Sequence, residues 1–180
     1  MEKIEIDDFD FLNIKNDQTI TKMIGNEKIY YSDKIKKKQF GFFSTFQERN
    51  FFITDCAMYI LKTLEMKRRI RIENLYGITY SKQSEQFVIH FDENEYDNLF
   101  QTSRRDKIIL LLQDLYEKIT NKDLLFSPKN ERDLSKYVVT KKERRKNPFL
   151  FKLDKNDLFP IKEFFKKNIV LLRKWLPFKQ

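Results

Sequence analysis

Between Glu27 and Gln101 the apolar residues come in short runs, rich in β-branched and aromatic side chains and separated by polar turns. That spacing belongs to an antiparallel all-β unit. The runs Lys28–Lys38, Arg49–Thr54, Ala57–Thr63, Arg69–Ile72, Gly77–Ser81, Phe87–Phe91 and Tyr96–Gln101 predict seven strands. The period then changes. In SRRDKIILLLQDLYEKIT the residues Ile108, Ile109, Leu112, Leu115, Tyr116 and Ile119 recur along one helical face, and Ser103 with Asp106 forms an S-x-x-D capping pattern ahead of them. The stripe is wide enough to plug one open end of a curved sheet, with burial contributing about 1.5–3 kcal/mol per large side chain. The expected class is α+β, mostly β.

Seven strands followed by one capping helix is the order of a pleckstrin-homology-like barrel, here assigned to residues 28–122. Residues 1–27 hold no strong period and place Ile4, Ile6, Phe9 and Phe11 at near-alternating positions, which reads as an arm that packs elsewhere. After residue 122 the chain is polar and irregular through Ser127-Pro128-Lys129-Asn130 and strongly basic in KKERRK, so 123–158 reads as a linker. Residues 159–177 predict a final helix that Pro160 begins and Pro177 closes. Its stripe is Ile161, Phe165, Ile169, Leu172 and Leu176, with Lys162, Lys166, Lys167, Arg173 and Lys174 standing away. Such a basic amphipathic helix packs on its own barrel, in a partner's groove or on a membrane surface.

Charge sharpens this division. The chain of 180 residues carries 36 Lys and Arg against 27 Asp and Glu, yet the last forty residues hold 13 of the basic and 4 of the acidic groups. The remainder, 23 of each, is neutral. Attraction to phosphates, acidic lipids or an acidic protein would therefore begin at the tail, although a solvated tail explains the same charges. No nucleic-acid motif accompanies them, and no nucleic acid is expected. The single Cys56 excludes a disulfide framework, which points to a reducing, cytoplasmic setting. The N-terminus has no secretion-signal pattern, and the longest uncharged apolar run, Ile169–Leu172, is too short to cross a bilayer.

Catalytic chemistry finds little material. The only histidine, His90, lies in the strand run FVIHF, where a structural or edge-exposed role is expected. There is no G-x-x-x-x-G-K-[ST] loop for nucleotide phosphates. Asp92, Glu93, Glu95 and Asp97 read as a solvated hairpin turn without calcium-loop spacing. No enzyme, cofactor or metal is expected.

Two basic clusters stand out. Alternation turns Lys34, Lys36 and Lys38 to one face of the first strand, and Arg69 and Arg71 to one face of another behind Lys67 and Arg68. Each cluster either meets phosphate or forms an ordinary solvated edge. Phe40, Phe42, Phe43 and Phe46 surround Gly41 in a loop, and contiguous exposed aromatics mark an interaction site for protein or lipid unless they pack within the chain. The partner-docking candidates are Phe42, Phe43, Phe46, Phe165 and Trp175.

At YSDKIKKK, ERNFFITDCAMYIL, KRRIRIENLYGITYS, FVIHF and DENEYDNLFQT the chain resembles the tail-homology domain of class I myosins. The segments keep the family's order over roughly residues 28–130. The resemblance implies a pleckstrin-homology-like fold that binds anionic phospholipids, including phosphoinositides, and tethers a motor to membrane. It maps the family's first-strand lysine to Lys38 and one member of its Arg-x-Arg pair to Arg49, with Gln47 at the other position. Lys38, Arg49, Lys67, Arg68 and Arg69 are accordingly the candidate lipid-phosphate residues. Two roles follow as expectations: an adaptor joining cytoskeletal or membrane-associated proteins to anionic membrane, or a structural subunit of a cytoskeletal complex with no lipid binding. Heavy use of Lys, Asn, Ile and Phe suggests an A/T-rich genome, in which a cilium is one cytoskeletal setting.

Overall fold

The computed structural model describes residues 9–93, 95–153 and the backbone of 159–160. The seven expected strands are β2 (Ile29–Gln39), β3 (Thr45–Thr54), β4 (Ala57–Lys62), β5 (Glu65–Arg71), β6 (Leu75–Ser81), β7 (Gln86–Phe91) and β8 (Asn98–Gln101), and three short strands join them. β2 to β5 pair antiparallel in sequence, as do β6 to β8, and β8 returns to pair with β2. A single 3-10 turn, Ile72–Asn74, connects β5 to β6. The sheet curls into a pleckstrin-homology-like barrel whose inward positions include Tyr31, Ile35, Phe51, Ile60, Ile70, Phe87 and Phe100.

Helix α2 (Arg105–Thr120) plugs this barrel as its apolar stripe predicts, with Ile108, Ile109, Leu111, Leu112 and Leu115 entering the barrel core. Its start differs from the capping pattern. The helix opens after Arg104 with no side-chain cap; the Thr102 hydroxyl accepts the Arg104 N–H, and Asp106 pairs with Arg105. Asn121 ends it in the left-handed conformation, its N–H reaching the Glu117 carbonyl.

The flanks belong to the barrel more fully than their sequence suggests. β1 (Phe9–Asp10) pairs parallel with β2, and Asp17 caps α1 (Gln18–Ile24) by accepting the Thr19 and Ile20 N–H groups. Ile14, Ile20 and Ile24 then form a second core with Ile29, Phe52, Ala57, Tyr59 and Leu61 on the outer side of β3 and β4. The stretch expected to be a linker is structured. β9 (Leu125–Lys129) lies parallel to β6, while Leu134 and Val138 pack with Val88 and Leu99. Helix α3 (Lys141–Lys146) carries a full capping box between Thr140 and Glu143. β10 (Phe159–Pro160) pairs with β9 where a helix was expected to begin, and the rest of 159–177 lies outside the described residues. No described helix is long and apolar enough to cross a membrane.

Candidate anion site at the barrel mouth

Strand alternation decides which cations face the interior. Tyr31 and Ile35 of β2 point inward, so Lys37 follows them. Arg49 pairs with Ile35 and Arg68 pairs with Ile60, which places both on the same inner side. All three meet at the barrel end that α2 leaves open, under the β7–β8 turn. There the Arg68 guanidinium lies 3.7 Å from the Tyr96 ring centroid. It donates to Asn98 Oδ1 at 3.0 Å, to Glu95 Oε2 at 2.5 Å and to the Tyr96 carbonyl at 2.7 Å.

Lys37 sits 5.9 Å from the same ring. Burial, reinforced by the charges of Arg68 and Arg49, brings its ammonium down to about 8. Arg49 donates to the Glu48 carbonyl and the Gln47 amide oxygen. Among the described residues, neither Lys37 nor Arg49 has a carboxylate partner. Half-buried positive charge of this kind can be offset by an anion, and phosphate oxygens suit such a cluster chemically.

The other nominated residues are distributed differently. Lys38 turns to the opposite face of β2, its ammonium 4.9 Å from the Phe46 ring. Lys67 is exposed on the β5 rim beside Glu65. Arg69 faces outward and locks the arm to the barrel: its Nη2 donates to Glu27 Oε1 at 2.7 Å and its Nε to the Tyr59 hydroxyl at 2.8 Å. The mouth thus contains Arg49 and Arg68, borders Lys67, and excludes Lys38 and Arg69. Lys37 is the member that the sequence reading missed. Its signal was available, because Lys37 stands two residues beyond Ile35 in the inward phase of β2.

The aromatic loop divides in the same manner. Phe42 and Phe43 are 97% and 79% exposed at the β2–β3 tip, whereas Phe46 packs against the cluster of Val88, Leu99, Leu134 and Val138. Phe165 and Trp175 lie outside the described residues. The acidic turn is less solvated than expected. Glu95 pairs with Arg68, and Asp97 is buried, its carboxylate 2.8 Å from His90 Nδ1 and accepting the Val139 N–H at 2.9 Å. Thr79 Oγ1 lies 2.8 Å from His90 Nε2. This Thr–His–Asp string is closed off within the fold, where it ties strands to the segment after β9.

A carboxylate–thiol group of Glu27, Asp55 and Cys56 converges within 4.8 Å on the arm side. Glu27 already serves Arg69, Thr54 and Tyr59. Burial and the neighbouring Glu27 charge push the Cys56 thiol up, which keeps it protonated.

The sequence profile of the unconventional myosin tail, described as actin- and lipid-binding, matches residues 8–158. Among solved structures, the hSac2 domain of the human phosphoinositide phosphatase Sac2 superposes with a TM-score of 0.50 at 14% identity, covering 64% of this chain and 86% of that one. The pleckstrin-homology domain of human TBC1 domain family member 2 gives 0.44 at 15% identity, over 54% and 87% of the two chains. Inner Membrane Complex Sub-compartment Protein 3 of Toxoplasma gondii gives 0.40 at 12%, over 48% and 75%. No curated protein sequence matches the chain.

Proposed function

The chain belongs to the unconventional myosin tail family, and from that premise we propose a non-catalytic adaptor that holds a cytoskeletal assembly to anionic phospholipid membrane. A head-group phosphate enters the barrel mouth and is received by Lys37 and Arg49, with Lys67 on the rim and Arg68 holding the floor. The observation that carries this reading is the pair of inward cations without carboxylate partners among the described residues, one of them already brought down to about 8 by its surroundings. An incoming phosphate relieves that crowding. The protein then works in the cytoplasm as a peripheral membrane and cytoskeletal component, with Phe42 and Phe43 available for contact.

A structural subunit without lipid affinity is the competing reading. It is favoured by the internal commitment of Arg68 to Glu95 and of Arg69 to Glu27. Co-sedimentation with phosphatidylcholine vesicles, with and without phosphoinositide, separates the two. Binding by the wild type should fall by roughly tenfold or more in Lys37→Ala/Arg49→Ala, as expected when charge-assisted bonds are lost. It should also weaken as pH rises past about 8, where Lys37 discharges. Full binding by the double variant would exclude the mouth as the receptor.

A further inference from the structure

Helix α3 lies beside the mouth and presents a face that the adaptor reading does not use. The connection is direct. Glu95 accepts Arg68 on its carboxylate, while its carbonyl accepts Arg144 Nε at 2.9 Å, so the mouth and α3 share one residue. Arg144 is buried and also holds the Pro148 and Leu150 carbonyls at 2.5 and 2.9 Å. Between those two carbonyls stands Phe149, 73% exposed.

The helix's remaining charges are one-sided. Its only carboxylate, Glu143, turns back to Thr140 and Lys152, leaving Lys141, Lys142, Arg145 and Lys146 exposed on the outside with no ion pair among the described residues. The same barrel end carries Phe42 and Phe43 on the β2–β3 loop, and Leu64 and Met66 at the β4–β5 turn, all exposed. These apolar knobs come from separate segments and are interrupted by cations. Interruption of this kind suits an anionic bilayer, where each apolar side chain is immersed singly and each cation meets a lipid phosphate; a protein groove calls for one continuous apolar strip.

We propose that the outer face of α3 together with Phe149 is a second membrane contact, independent of the phosphate in the mouth, which seats the barrel end-on against an anionic bilayer with Phe42 and Phe43 immersed on the other side. The proposal rests on the membrane reading of the mouth, yet it concerns lipid charge in general, and the two fail separately.

The probe is phosphatidylcholine vesicles with and without phosphatidylserine and lacking phosphoinositide. Arg145→Ala/Lys146→Ala should weaken binding to the phosphatidylserine vesicles by roughly tenfold or more, because each basic residue near an anionic surface contributes several-fold. Phe149→Ala should cost several-fold, while Lys37→Ala/Arg49→Ala costs little on these vesicles. In a Trp175→Phe background, Phe149→Trp should shift its emission to the blue and be quenched by brominated lipid. Unchanged emission on bound vesicles would overturn the proposal, as would undiminished binding by the α3 variants with wild-type melting. Loss of filamentous-actin co-sedimentation without loss of vesicle binding would assign the face to a protein partner and would equally overturn it. Calorimetry with a soluble inositol phosphate head group tests the mouth alone, so failure there leaves the α3 result readable.

Discussion

Lys37→Met removes a charge that the fold tolerates at a cost. In the folded chain the ammonium titrates near 8 instead of its usual 10.5, first because burial disfavours the charged form and then because Arg68 and Arg49 repel it. At about 1.4 kcal/mol per factor of ten, that gap corresponds to roughly 3 kcal/mol, and solvent at the open mouth reduces it to about 1–2 kcal/mol. The sign follows from proton counting. Between about 8 and 10.5 the unfolded chain holds a proton that the folded chain has released, so wild-type stability rises through that window relative to a variant without the amine. Urea titrations of both proteins at pH 7 and pH 10 supply the test. Lys37→Met should be the more stable at pH 7 by about 1–2 kcal/mol, with the advantage roughly halved or smaller at pH 10, just short of the unfolded 10.5, apart from the packing of the methionine itself. A difference that stays flat with pH, or a variant less stable at pH 7, would show that Lys37 is not electrostatically strained, and the anion receptor would lose its physical basis.

Two further predictions probe how the flanks are held. Gly77→Ala would place a Cβ 2.7 Å from Leu153 Cδ2 and 3.0 Å from the Leu125 carbonyl; a loss of about 1–3 kcal/mol is expected in urea titration, with earlier proteolysis in residues 123–153. Glu27→Ala should cost about 2–3 kcal/mol, because Arg69, Thr54 and Tyr59 all donate to that carboxylate. Burial raises the Glu27 carboxyl, but those donors outweigh it and hold the group below its usual 4.5. The part of its contribution that depends on charge is therefore complete above that value and fades as acid takes the pH down through the lowered one, so the gap between wild type and Glu27→Ala should narrow as the pH falls below 4.5.

Much of the barrel was legible because its strands alternate cleanly over an inner face of aromatic and β-branched residues. The plug was legible from Ile108 to Leu115 for the same kind of reason, a period matched to one buried face. What escaped lacks a period. Leu134, the Val138-Val139 pair and Leu153 stand apart among mostly polar residues and follow no helical or strand period, yet each is buried; Leu134 and Val138 lie against Val88 and Leu99, and Leu153 lies over Gly77. Ser127-Pro128-Lys129-Asn130 looks like a turn, but Pro128 stands in β9 beyond the part that β10 covers, where only one side of the strand needs pairing. Within the site, the chemistry of each cation was visible and its partner was not. Arg68 and Arg69 are adjacent in β5 and point opposite ways, one to Glu95 and the other to Glu27. Only the folded register distinguishes a cation left open to ligand from one already neutralised.

Asp97 also bears on how such a module can be excised. Its carboxylate sits in the interior and accepts from a peptide N–H at Val139, more than forty positions downstream, as well as facing His90. A fragment trimmed at the end of the plugging helix would leave that oxygen short of a donor and would strip Val88 and Leu99 of their cover. The autonomous unit is therefore delimited by a hidden polar joint well past the last obvious element, and expression boundaries drawn from the barrel alone would cut through it.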